Sequence, residues 1–270
     1  MKKWIGLALL LALCMGLLSG VGAYGAEEDD LLAAIQDKGV LTIAMEGTWA
    51  PWTYHDEDDN LVGFDVEVGQ AIAEYLGVEA EFVEGEWDGL FAGMDSKRYD
   101  LVINGVDVTE DRSEKYDFSD PYAYIRTALV VREDNEDIAS FEDLDGKVTS
   151  NSIGSTYMEL AEQYGATVEG EDSLGETMQM VESGRADATL NAEVSVADYL
   201  SQQPDAKLKI VAYTDEANLV AIPMRKGDET ASLREAVNEA IAAMRDNGTL
   251  SELSEKYFGL DITGPDGEGE

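Results

Sequence analysis

The order of apolar runs in this 270-residue chain predicts an α/β protein of two lobes, each a mostly parallel sheet flanked by helices. Three observations carry that reading. Short apolar runs alternate with amphipathic stretches through most of the chain. The alternation pauses at a β-branched connector over 127–132, followed by the acidic run Glu133-Asp134-Asn135-Glu136-Asp137, and then restarts. A last strand-like run over 218–224 feeds a long helix, which the pattern returns to the first lobe. Two lobes joined by two extended strands enclose a cleft that can close on a ligand by a hinge motion.

Taken in order, Val40–Met45 is apolar and β-prone and reads as a strand. Phe64, Val68, Ile72 and Leu76 recur at helical spacing, and Gly77 closes that helix. Residues 78–83 form the second strand, 89–96 a helix and 100–103 a third strand. In the second lobe Val148 opens a strand, 156–164 a helix, and Thr167-Val168 a strand. A helix over 174–183, a strand over 186–190 and a helix over 194–200 follow. The long helix spans 230–246 and stops at Gly248. The expected boundaries are 27–130 with 219–260 for lobe one and 131–218 for lobe two. An acidic tail over 261–270 ends in a Gly-rich stretch from Gly264 expected to be disordered.

The N-terminus reads as an export signal. Lys2 and Lys3 precede an apolar run over 4–18, and small residues follow up to Ala26, so residues 1–26 are expected to be removed. The apolar run is short for a membrane span. Cys14, the only cysteine, follows Leu13 rather than a small residue, so a soluble exported protein is expected rather than a lipid-anchored one. With one cysteine and one histidine, His55, thiol, His-triad and zinc-site chemistry are poorly served. The balance of 18 basic and 57 acidic residues, −39 overall, excludes nucleic acid as a general partner.

The segment Asn104-Gly105-Val106-Asp107-Val108-Thr109-Glu110-Asp111-Arg112 carries the most chemistry. The buried-strand pattern of Leu101, Val102 and Ile103 opens into it, and the residues after Thr109 look like a helix start. Arg112 offers a forked cation suited to a carboxylate. It reads equally as a surface arginine paired with Asp111 or Glu114.

The chain resembles the extracytoplasmic solute-binding proteins of polar amino-acid ABC importers over roughly 31–259. The resemblance rests on Glu46-Gly47-Thr48-Trp49-Ala50-Pro51-Trp52, Leu61-Val62-Gly63-Phe64-Asp65-Val66, Trp87-Asp88-Gly89-Leu90, Tyr116-Asp117-Phe118-Ser119-Asp120-Pro121-Tyr122, Gly154-Ser155-Thr156-Tyr157 and Gly184-Arg185-Ala186-Asp187-Ala188. Asp246-Asn247-Gly248-Thr249-Leu250 and Tyr257-Phe258-Gly259 complete it, and the wording is nearest to cystine-binding members. It implies the two-lobe periplasmic-binding-protein fold of type II, no enzymatic activity, no cofactor and no metal. The implied partners are an amino acid and an importer's permease and ATPase, with the protein a monomer.

The same resemblance implies the roles of particular residues. Arg112 would hold the ligand's α-carboxylate with backbone groups near Asn104, Gly105 and Asp107, and with Ser155 and Thr156 from the second lobe. The Gly105 carbonyl would accept from the α-ammonium. Trp49, Trp52 and Trp87 would enclose the side chain, and Glu46 would face its far end. Plainer roles compete: loop packing for Trp52, helix capping for Trp87 and Ser155-Thr156, and a solvated acid for Glu46. This sequence departs from the family at two places, with Asp107 where Ser or Thr is usual and Ala192 where an ammonium-pairing Asp is usual. Asp107 or Glu193 is the expected substitute partner for the ammonium. Cystine is the favoured ligand, a basic or other polar amino acid the alternative, and a dehydratase-type enzyme on the same fold the remote one.

Overall fold

The computed structural model describes residues 30–264; the expected signal segment and the end of the acidic tail lie outside the described residues. Two sheets organise the chain. The first is parallel, with strand order Glu79–Glu84, Val40–Met45, Leu101–Val102. The second has five strands in the order Thr167–Glu171, Val148–Ser152, Ala188–Ala192, Thr127–Arg132, Leu208–Tyr213. Its first three strands run parallel, and the last two pair antiparallel.

The first lobe is held by packing more than by local signals. Leu41, Ile43 and Met45 are buried, as are Phe64, Val68, Ile72 and Leu76 along one face of the helix Phe64–Leu76. That helix has no side-chain cap at Gly63, so its stability comes from this face, at roughly 1.5–3 kcal/mol for each large apolar side chain. Its first N–H groups, from Phe64 and Asp65, donate to the carbonyls of Pro51 and Trp52. This stitches the Trp49–Thr53 loop to the helix start. The C-terminal helices Ala231–Asp246 and Thr249–Phe258 pack on the same helix, and Phe258 lies 4.9 Å from the Trp52 ring and 5.0 Å from that of Phe64.

The chain crosses between the lobes twice, along Ala123–Ile125 and Asn218–Val220, which pair antiparallel with Leu219 opposite Tyr124. Several expected boundaries shift. Thr127–Arg132 lies wholly in the second sheet, so the first crossover falls before residue 127 rather than at 130. The run expected as one strand over 218–224 is two. Asn218–Val220 serves the crossover, and Pro223–Arg225 pairs with Tyr116–Phe118. Between them the Ile222 N–H donates to the Ser119 hydroxyl.

The tail expected from 261 is ordered at its start. Ile262 is buried, and its carbonyl accepts from the Tyr124 N–H at 2.8 Å. The Asp56–Asn60 run forms the turn between short strands Tyr54–His55 and Leu61–Val62. Among the described residues no helix is long and apolar enough to cross a membrane.

Candidate functional site

Glu46 and Asn104 follow the C-terminal ends of two neighbouring parallel strands, the place where α/β sheets form ligand sites. Asn104 is fully buried and uses its amide to fix both. Its Oδ1 accepts from the Glu46 N–H at 2.8 Å, and its Nδ2 donates to Glu46 Oε2 at 2.6 Å. Burial raises the Glu46 carboxyl to about 7, with the Asn104 hydrogen bond pulling the other way and the Glu86 charge adding to the rise.

The next residue, Gly105, sits at φ 53°, and a Cβ there would come 2.5 Å from Trp49 Cζ3. The turn therefore needs glycine, both for its left-handed backbone and for the close approach of the indole. Its N–H donates at 2.6 Å to Asp65, a fully buried carboxyl that also accepts from the Tyr122 hydroxyl at 2.8 Å. With no cation beside it, burial lifts Asp65 to about 7 against the pull of these two donors.

Arg112 belongs to the short helix Glu110–Lys115, capped by the Thr109 side chain as the sequence suggested. The expected pairing with Asp111 or Glu114 is not what holds it. Its guanidinium carbon lies 5.3 Å from the centre of the Trp87 ring and 5.5 Å from that of Phe91. Such faces favour a cation by roughly 0.5–2 kcal/mol. Nη1 donates to the Asp107 carbonyl at 3.0 Å, and Nη2 reaches the Gly154 carbonyl of the second lobe at 3.4 Å. Trp87 begins the helix Trp87–Asp95, where it packs edge-on against Phe91.

The second lobe faces these groups with uncharged side chains. Ser155 caps the helix Thr156–Gln163, its Oγ accepting from the Met158 N–H. The Thr156 hydroxyl donates across the cleft to Asp107 Oδ2. Trp49 Nε1 donates across it to Asn191 Oδ1 at 3.2 Å. Between the walls the closed cleft leaves a cavity of about 40 Å³, below the roughly 300–1,000 Å³ of small-molecule sites. Glu46, Trp49, Trp87, Asn104, Gly105, Asp107, Arg112, Ser155 and Thr156 all line it.

Two expected site residues do not. Trp52 is 0 % exposed and lies behind Trp49, the two rings stacked 5.3 Å apart. It packs on Phe64 and Phe258 and so belongs to the core. Glu193 is held outside the cavity by Arg126, with Nη2 to Oε2 at 2.6 Å. It starts a helix, whereas Asn191, two residues earlier on the strand, faces the space. Val108 N–H, one of the backbone groups near Asp107, donates to the Leu219 carbonyl. Sequence reasoning assigned no role to Thr48, Ser152, Tyr157, Leu174 or Asn191, which complete the lining. For Asn191 the available signal was strand alternation.

The profile of the bacterial extracellular solute-binding proteins, family 3, matches residues 41–260. The chain belongs to this family. It is 41% identical to the L-cystine-binding protein TcyA of Bacillus subtilis over 97% of this chain and 100% of that one. Among solved structures it is similar to an ancestral arginine-binding protein bound to arginine, at 37% identity and TM-score 0.76, over 82% of this chain and 99% of that one. It is also similar to the L-cystine solute receptor of Neisseria gonorrhoeae in its unliganded open conformation, at 40% identity over 87% and 99%. The TM-score there is only 0.59 despite the higher identity. The lower score matches the closed lobes here, with Thr156 and Asn191 already bonded across the cleft.

Proposed function

We propose that this protein, exported and monomeric, captures a polar amino acid between its lobes and presents it to the permease and ATPase of an ABC importer. Cystine is the favoured ligand. The observation that carries the proposal is Arg112, a forked cation held between aromatic rings on the wall of a cavity that otherwise holds two acids, Glu46 and Asp107. A zwitterion brings the complementary pair, a carboxylate for Arg112 and an ammonium for an acid. Glu46 then faces a cation at the far end of the side chain. The names of relatives such as TcyA support this reading. Binding of this kind makes and breaks no covalent bond, so the activity is non-enzymatic.

The charge count favours one second reading. Two acids against one arginine best match a ligand with one more positive than negative charge, a basic amino acid, and the arginine-bound ancestral protein shares the fold.

Thermal melting of the chain from Glu27 onward, against the twenty amino acids and cystine, tests the proposal. A ligand at a thousandfold excess over its Kd stabilises the folded state by about 4 kcal/mol. For a chain of this length that corresponds to a melting shift on the order of 10 °C. A shift with cystine is expected. A shift confined to arginine and lysine replaces the ligand and keeps the site, and no shift with any amino acid overturns the proposal.

A further inference from the structure

Among the described residues, Asp107 Oδ1 is the only buried side-chain atom of the cavity lining without a hydrogen-bond partner. The residue is 3 % exposed. Its other carboxyl oxygen accepts from the Thr156 hydroxyl of the second lobe and, at 3.3 Å, from the Asn218 amide on the crossover strand. Arg112 meets the main-chain carbonyl of Asp107, which leaves the acid itself to Thr156 and Asn218. The carboxyl is thus oriented from both lobes, with one oxygen unpaired. A buried acceptor left unmade costs about 1–3 kcal/mol, more when charged. A donor arriving in the cavity offsets that cost, and a cationic N–H donor offsets most of it.

The other acids near the cleft are committed elsewhere. Glu193 is paired with Arg126. Asp65 is satisfied by Gly105 and Tyr122 behind the lining. Glu46 receives Asn104 and sits at the end of a different strand. Burial raises the Asp107 carboxyl, while Thr156, Arg112 and Asn218 favour its ionised form.

We propose that Asp107 Oδ1 accepts the ligand's α-ammonium beside the carboxylate on Arg112, so that one segment reads the whole amino-acid head group. Asp107 is then the residue that selects an α-amino acid over the same acid lacking its amino group. The Thr156 hydroxyl fixes its rotamer as the lobes close. The inference rests on reading the cavity as an amino-acid site.

Calorimetric titration of matched ligands tests it: L-arginine against 5-guanidinopentanoic acid, or, for a cystine-type ligand, the mixed disulfide of L-cysteine and cysteamine against that of 3-mercaptopropanoic acid and cysteamine, each pair differing only in the α-amino group. The pair used is the one whose amino acid raises the melting temperature of the unsubstituted protein. Loss of the α-amino group is expected to weaken binding to the unsubstituted protein about a hundredfold. Asp107→Asn is expected to weaken the amino acid by a similar factor and leave the deaminated ligand unchanged, a coupling that a purely structural role does not give. Equal weakening of both ligands, or unchanged affinity for the amino acid, overturns the inference. Should Asp107→Asn fail to fold, equal affinity of the unsubstituted protein for the two ligands overturns it instead. Failure of every amino acid to bind the unsubstituted protein sinks the amino-acid reading and this inference together, whereas amino-acid binding that survives Asp107→Asn sinks the inference alone.

Discussion

The first-lobe wall of the cavity carries the charged lining residues Glu46, Asp107 and Arg112, whereas the second-lobe wall offers Ser152, Ser155, Thr156, Tyr157, Leu174 and Asn191. Glu46 and Arg112 are fixed chiefly from within the first lobe, whereas the Asp107 carboxyl is met by Thr156 of the second. Asn104 holds Glu46, while Trp87 and Phe91 flank Arg112. The second wall instead supplies hydroxyl and amide groups that reach across, as Thr156 does to Asp107 and Asn191 to Trp49. The difference assigns the lobes different work. On the proposed function, a ligand's charges are recognised on the first wall, and the second wall closes over a ligand already oriented. Substitutions on the first wall should therefore weaken binding most. Those on the second should chiefly speed release.

The largest effect is expected from Arg112→Ala, which removes the only cation of the cavity lining among the described residues and should weaken amino-acid binding about a thousandfold in a calorimetric titration. A loss under tenfold would break the contrast between the walls. Trp49→Ala comes next. It removes a ring stacked on Trp52 and bonded to Asn191, and should cost about a hundredfold in affinity, with about 3–5 kcal/mol of stability seen by denaturant unfolding.

Thr156→Val keeps the shape of the second wall but deletes the hydroxyl on Asp107. About a tenfold loss is expected, measured by stopped-flow as faster dissociation at an unchanged association rate. A slower association rate would mean that the second wall also takes part in first recognition.

The smallest effect is pH-dependent. Glu46 stands at about 7 in the folded protein against an ordinary 4.5. An acid raised on folding contributes stability that is fully present below about 4.5 and is lost as pH climbs through about 7. A ligand with a distal cation draws on the ionised form. Its affinity should therefore rise about fivefold from pH 6 to 8 while the unliganded protein becomes less stable over the same window. Glu46→Gln should flatten both slopes. Unaltered slopes in that variant would remove Glu46 from ligand contact.

The charged wall was far more legible in the sequence than the neutral one. Arg112 follows a capped helix start, Asn104-Gly105 ends an apolar strand, and both signals lie within a few residues of the groups they position. The second wall is set by distant partners. Glu193 looked available until Arg126, 67 positions away, took it, and the Asn191 amide meets Trp49, 142 positions away. Trp52 has the motif of a site residue, but its depth depends on Phe258 near the far end of the chain. Strands such as Tyr54–His55 and Ala123–Ile125 are too short to show a period, so the crossover point was misplaced by a few residues.

On the proposed function, Arg112 holds a carboxylate at the charged wall. Titrating the protein with its amino acid and with the methyl ester of that amino acid (the dimethyl ester for cystine), which keeps the positive charges and loses every carboxylate, tests this directly. Esterification should weaken binding at least a hundredfold in the unsubstituted protein and have little further effect in Arg112→Ala. An ester that binds the unsubstituted protein as tightly as the free acid would contradict it.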